Sequence, residues 1–138
     1  MKIKVLLVVP GMEARVIKIP ANIKFIKSFI GDKLFRIQLD ENNILIANQN
    51  ARVDELNRYV GDNIILGKFI IVSTKKNRKI TMKRKDIRKF KNMFKLRKHQ
   101  KKIDKFRDEF LEEHYSKQRE MKLKNREINK KELFKQVA

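Results

Sequence analysis

The apolar residues and the positive charges of this chain are concentrated in opposite halves. Dense apolar runs such as Val5–Val9 and Phe69–Val72 lie within residues 1–72, whereas apolar positions are isolated afterwards. A length of 138 residues fits one domain, or a small domain with an appendage. We therefore predict a compact α+β domain over residues 1–73, a linker and helix over residues 74–94 that complete it, and a basic helical extension over residues 95–138.

The charge distribution indicates an anionic partner. Residues 1–72 contain 11 Lys and Arg against 7 Asp and Glu, whereas residues 73–138 contain 25 against 9, and the net charge is +20. Between Lys75 and Arg107, 17 basic residues are accompanied only by Asp86 and Asp104. Charge at this density repels itself and is normally stabilised by a polyanion. Nucleic acid, RNA or DNA, or a ribonucleoprotein is the expected partner.

The composition argues against several kinds of chemistry. The chain has no cysteine, which excludes disulfides, thiolate zinc sites and thiol nucleophiles. His99 and His114 are the only histidines, and we expect both to face solvent on a basic helix. The acidic residues are scattered and the four glycines form no phosphate-binding loop. We predict a protein that is not an enzyme and has no cofactor and no metal.

No segment has the pattern of a signal peptide or a membrane span. The first apolar run ends at Pro10-Gly11, and nothing approaches the ~20 apolar residues of a transmembrane helix. The basic C-terminal half lacks the broad apolar face that membrane-surface helices need. We predict a cytoplasmic protein, in a bacterium or a phage-infected cell, with no membrane partner.

Periodicity in the first half predicts strands with one or two short helices. Ile3–Val9 and Ala14–Ile19 read as a hairpin, Asn22 as the cap of a helix that stops at Gly31, and Leu34–Leu39 with Ile44–Ala47 as a second hairpin. Asp54–Val60 reads as a short helix or helical turn, and Lys68–Ser73 as the final strand. The predicted fold is a small, mostly antiparallel sheet of about five strands.

The second half is predicted to be a polar link followed by helix. Thr74–Lys79 has no periodicity, Thr81 is placed to cap a helix, and a charged helical pattern continues from Lys95. Three alternatives stay open for this long extension: it folds back near Lys122–Asn129, it forms a homodimer through an apolar stripe containing Phe106 and Phe110, or it is partly ordered.

The first 94 residues resemble the uncharacterised family known as domain of unknown function 3846. The matching pieces, in order, are Lys4–Gly11, Ile30-Gly31, Leu45–Asn48, Leu56–Arg58, Ile64–Val72 and Asp86–Phe94. The chain departs from the family pattern at Asn48–Arg52 and at Val53–Glu55, and the basic tail is an addition. The resemblance implies the fold and a mobile-element setting, in phages, plasmids and their hosts. It implies no activity.

A basic ridge is the main candidate site. On one continuous helix, Arg84, Arg88, Lys91, Lys95, Lys98, Lys102 and Lys105 would form a ridge about 30 Å long. With six phosphate contacts, affinity would fall roughly a thousandfold between 50 and 200 mM salt. Nothing indicates base-specific readout, and Phe90, Phe94 and Phe106 are predicted to pack. The candidate nucleic-acid-binding residues are Lys83, Arg84, Arg88, Lys91, Lys95, Arg97, Lys98, Lys101, Lys102 and Lys105.

A second hypothesis is a protein that docks on another protein. The stripe of Phe106, Phe110 and Leu111 would fit a groove on a host factor or defence complex, as in an inhibitor of the anti-CRISPR kind. Asn57 and Arg58 are also candidate partner-binding residues, because an Arg there could clamp a phosphate or carboxylate. The alternative for this pair is structural: Asn57 caps backbone groups and Arg58 lies over the sheet with its charge in water.

Overall fold

The computed structural model describes residues 1–110 and 112–113. The chain divides into two compact units, Met1–Ile103 and Asp104–Ala138. In the second unit, residues 104–110 and 112–113 are helical.

The first unit contains eight strands and two helices, followed by a further helical stretch at residues 96–103. In chain order the elements are β1 (Lys2–Val8), β2 (Arg15–Pro20), α1 (Ile23–Ile30), β3 (Leu34–Gln38), β4 (Asn43–Asn48), β5 (Leu56–Val60), β6 (Asn63–Leu66), β7 (Phe69–Lys75), β8 (Arg78–Ile80) and α2 (Arg84–Met93).

The strands form a six-stranded antiparallel sheet and a separate hairpin. The sheet has the order β2-β1-β7-β4-β3, with β8 paired to β7, and β5 pairs with β6 apart from it. Every pairing is antiparallel. The predicted α+β class, with a mostly antiparallel sheet followed by a basic helical segment, is confirmed.

Two packed layers cover the faces of the sheet, because neighbouring residues of a strand point to opposite sides. On one face, Ile26 and Ile30 of α1 pack with β-strand residues such as Val5 and Ile70. On the other face, Phe90 and Phe94 pack with residues such as Leu6 and Phe69. Phe90 and Phe94 are core residues, as predicted.

The limits of α1 follow the sequence signals. The Asn22 side chain accepts a hydrogen bond from the Phe25 amide at 2.8 Å, and Gly31 terminates the helix with φ +151°. A Cβ on Gly31 would lie 2.5 Å from Cγ of Asn48, so any other residue here would have to displace the Asn48 side chain as well as adopt a backbone conformation that favours glycine.

Three local predictions in this unit are wrong. Asp54–Val60 does not form a helix, because Leu56–Val60 is strand β5. Thr74–Lys79 is not an irregular link, because it contains the end of β7 and the turn into β8. Thr81 does not cap α2. Its hydroxyl accepts from the Lys4 amide at 3.3 Å, and α2 begins after Lys83, whose side chain makes no capping bond.

Candidate nucleic-acid interface

A buried arginine lies beneath the basic part of the first unit. Arg58 has 0 % exposure. Its Nε donates to the carbonyl oxygen of Phe94 at 2.8 Å, one terminal nitrogen donates to the carbonyl and side-chain oxygens of Asn57, and the other donates to the carbonyl of Met12. Arg58 therefore joins the β1–β2 turn, strand β5 and the end of α2.

Asn57 completes this buried polar cluster. Its amide nitrogen donates to the carbonyls of Val8 at 3.0 Å and Gly67 at 2.8 Å, which fixes the amide so that its oxygen faces Arg58. Strand β5 changes register between Leu56 and Arg58, and the resulting bulge turns three consecutive residues inward. A regular strand would have placed either Asn57 or Arg58 outside.

The hypothesis that Asn57 and Arg58 bind a partner is corrected by their burial. Neither side chain is exposed, so neither reaches a ligand on the surface. The capping role of Asn57 is present, because its amide satisfies two backbone carbonyls. The prediction that the Arg58 charge lies in water is wrong. Burial lowers the pKa of Arg58, and the nearby Glu13 carboxylate offsets part of that effect.

His99 attaches the segment that follows α2 to the same cluster. The Tyr59 amide donates to Nδ1 at 3.0 Å, and Nε2 lies 2.8 Å from the Met93 carbonyl oxygen, which can only accept. His99 is therefore the neutral tautomer with its proton on Nε2. The ring also stacks on Phe94, with centroids 5.9 Å apart. The prediction that His99 faces solvent is wrong, since the residue is 9 % exposed.

Residues 95–103, which we call the anchor segment, are also fixed by a hydrogen bond at their start and by a buried side chain at their end. Oε1 of Glu13 accepts from the Leu96 amide at 2.7 Å, where the helical residues begin. The carboxylate thereby accepts from an amide that has no acceptor within the helix. Its negative charge also interacts favourably with the positive end of the helix dipole. Ile103 is 3 % exposed at the other end of the segment. The packed part of the unit thus extends beyond the predicted boundary at residue 94.

The predicted single ridge is divided between two helical segments. Helix α2 ends at Met93, and Phe94 has φ −104° and ψ 23°, so the helix does not continue into residues 96–103. In the anchor segment, Lys98 Nζ donates to Oδ1 of Asn92 near the end of α2, at 3.1 Å. The prediction of one continuous helical ridge from Arg84 to Lys105 is wrong for this reason.

The candidate cations nevertheless lie on the surface. Nine of them, all in the first unit, form what we call the basic surface: Lys83, Arg84, Arg88, Lys91, Lys95, Arg97, Lys98, Lys101 and Lys102. All are exposed except Lys95, which is half-buried. Lys105 is exposed too and belongs to the second unit. The ion pairs within the described residues join Arg52 with Asp54, Lys89 with Asp40 and Arg107 with Asp104, and none uses a residue of this set.

The remaining predicted partner-binding residues lie in the second unit. Phe106 and Phe110 are half-buried and stack with ring centroids 6.2 Å apart, in planes 8° from parallel. Leu111 lies outside the described residues. Across the part of the chain that the structure describes, no group of three or more His, Cys, Asp or Glu side chains could hold a metal. Over the same residues, no helix is both long and apolar enough to cross a membrane.

One comparison places this fold in a family. The family model described as Domain of unknown function (DUF3846) matches residues 1–95, more than half of the chain. The chain belongs to this family. The match extends from β1 through α2 and stops at the first residue of the anchor segment. No curated protein and no solved structure is significantly similar to the chain.

We expect Arg58→Met to lower the free energy of unfolding by about 3 kcal/mol or more, because the carbonyls of Phe94 and Met12 would lose their buried donor. Urea denaturation followed by circular dichroism measures this. Arg52→Met is the matched control, since its exposed pair with Asp54 predicts a change within about 0.5 kcal/mol. Equal losses in the two variants would contradict the assigned role of Arg58.

We expect stability to fall as the pH is lowered through the ordinary histidine range. Burial lowers the pKa of His99, and the charges of Arg58, Lys102 and Lys98 add to that effect although the bond to the Met93 carbonyl opposes it. The unfolded chain then takes up a proton at higher pH than the folded protein. The contribution of neutral His99 to the free energy of unfolding is therefore complete above the pKa of histidine in the unfolded chain, about 6.5, and is lost progressively below it.

Thermal unfolding between about pH 8 and pH 5 measures this dependence. His99→Gln should flatten the decline, whereas the same change at His114, the other histidine of the chain, should leave it as in the parent. A decline that persists unchanged in His99→Gln would show that other groups cause it.

Proposed function

We propose that this protein is a non-catalytic nucleic-acid-binding protein that holds phosphates with its basic surface. The observation that carries the proposal is that nine cations of one compact unit lie at its surface and take part in none of the ion pairs found among the described residues. Phosphate contacts of this kind release counterions and dominate affinity without reading sequence.

The buried cluster supports the proposal by holding the basic surface in a defined place. A flexible cationic tail loses conformational entropy when it binds, whereas α2 and the anchor segment are already fixed by Arg58, His99 and Glu13. Lys102 is positioned further, with Nζ 5.5 Å from the ring centroid of Tyr59. The family setting inferred from the resemblance suggests an accessory protein of a mobile element, acting in the cytoplasm.

We expect the triple variant Arg84→Gln, Arg88→Gln and Lys91→Gln to bind nucleic acid more weakly at low salt. The loss should be about tenfold for each phosphate contact removed, and the slope of log K against log salt should fall by about 0.9 per contact on duplex DNA. Glutamine has a helix propensity close to that of the residues replaced, so α2 should persist. Fluorescence anisotropy with labelled duplex DNA and single-stranded RNA measures both quantities.

The matched control removes the same charge from the opposite side of the sheet. Lys24, Lys27 and Lys33 are exposed on or directly after α1, and their replacement by Gln also reduces the formal net charge by three. The control should keep nearly the affinity of the parent protein. If both triple variants lose affinity equally, net charge and not the basic surface would account for binding. If the parent binds neither polymer in dilute buffer, the proposed function is wrong.

A second candidate function is docking on a host protein or on a second copy through the Phe106 and Phe110 stack. The half-burial of both rings favours it, because each presents apolar area within the second unit. The double variant Phe106→Ala with Phe110→Ala should then abolish a defined protein complex that survives about 1 M salt, where electrostatic contacts are screened, and should leave nucleic-acid affinity unchanged. If the variant keeps the protein complex and loses nucleic-acid affinity, these rings belong to the nucleic-acid interface.

A further inference from the structure

The hairpin of β7 and β8 carries a dense group of cations that the basic surface does not include. Lys75 pairs with Arg78 across a two-residue turn formed by Lys76 and Asn77. Lys79 follows, so four of the five residues from 75 to 79 are basic. All but the half-buried Lys79 are exposed, and none appears in the ion pairs of the described residues.

The backbone at the tip is of a kind that lysine rarely adopts. Lys76 has φ +52° and Asn77 has φ +63°, the left-handed values of a type I′ turn. This turn suits the twist of a hairpin, but Asn-Gly is the favoured sequence, and a lysine at a left-handed position costs about 1 kcal/mol. The turn geometry accounts for Asn77 and gives no reason for Lys76. Strain of this kind is concentrated at functional positions.

The hairpin extends beyond the strands that flank β7. The pairing of β7 with β1 ends at Ile71, and its pairing with β4 ends at Ser73, whereas its pairing with β8 continues to Lys75. The Thr74 amide still donates to the Asn42 carbonyl in the β3–β4 turn, and after β8 the Met82 amide donates to the Lys4 carbonyl of β1. The Lys75–Arg78 pair and the two turn residues therefore form a short two-stranded ribbon that projects from an interior strand of the sheet.

The base of this ribbon adjoins the basic surface. Lys75 and Lys83 line one cavity of about 180 Å³ together with Asp86, Asn42, Ser73, Thr74 and Ile80. A ligand that lies along α2 can therefore meet the ribbon without crossing an apolar gap. The carboxylate of Asp86 is the one acidic group in this lining.

We infer that the β7–β8 hairpin enters the major groove of B-form DNA while the basic surface contacts the flanking phosphates. The inference rests on the proposed function and specifies its ligand as duplex DNA. The major groove of B-DNA is about 12 Å wide and admits a two-stranded ribbon. The major groove of duplex RNA is deep and narrow and excludes one, and a single strand has no groove.

The test compares a DNA duplex, an RNA duplex and single-stranded DNA of equal length in an anisotropy assay. The hairpin variant combines Lys75→Gln, Lys76→Asn and Arg78→Gln in the full chain. Asn tolerates the left-handed position, so the turn should form as before. Affinity for the DNA duplex should fall about a hundredfold or more at low salt, and affinity for the other two probes by no more than a few-fold.

The Lys24, Lys27 and Lys33 triple variant is again the charge-matched control, and it should bind all three probes like the parent. An equal loss on every probe, or no loss on the DNA duplex, overturns groove insertion. If the parent binds nucleic acid and the hairpin variant binds identically, only this inference fails. If the parent binds none of the probes, the proposed function fails with it. A circular dichroism spectrum and unfolding midpoint close to those of the parent confirm that the variant is folded.

Discussion

The buried guanidinium of Arg58 is the interaction on which the placement of the basic surface depends. Burying a charge is costly unless each of its donors is satisfied, and the hydrogen bonds of Arg58 come from a turn, a strand and a helix end that are distant in sequence. Asn57 orients the guanidinium and is itself held by two carbonyls. An apolar residue of similar length would fill the space, but it would remove a hydrogen-bond donor from three carbonyls. Packing therefore allows other residues here, whereas hydrogen bonding does not.

The cations depend on this interior cluster through the anchor segment. Glu13 accepts from the Leu96 amide at the start of the segment, and His99, in the middle of the segment, accepts from the Tyr59 amide of β5. Such bonds fix the path of the main chain more strictly than apolar contacts do, because they are directional. The surface lysines and arginines themselves make few contacts. Their arrangement is thus determined by residues that do not touch the expected ligand.

The parts of the fold that were predictable are those whose signals are local. Strands β1, β2 and β4 and helix α1 follow from apolar alternation, an Asn cap and a terminal Gly, and the exposure of the cations follows from composition. Strand β5 was missed because a bulge turns Leu56, Asn57 and Arg58 inward together, which removes the alternation and leaves a pattern that resembles a capped helix. Strand β7 was predicted as far as Ser73, but its end, the turn and strand β8 were missed because four of the five residues from 75 to 79 are basic and the turn is Lys-Asn, not Asn-Gly. The burial of His99 depends on an amide forty residues earlier in the chain, and no local pattern contains that partner.

The position of His99 also shows that the end of the family match and the end of the compact unit are different points in the chain. The family match ends at residue 95, yet one face of the Phe94 ring is covered by the imidazole of His99, five residues after Phe94. A fragment cut at the family limit would leave that aromatic face and the Tyr59 amide in water. The compact unit, Met1–Ile103, therefore extends eight residues beyond the region that the family model matches.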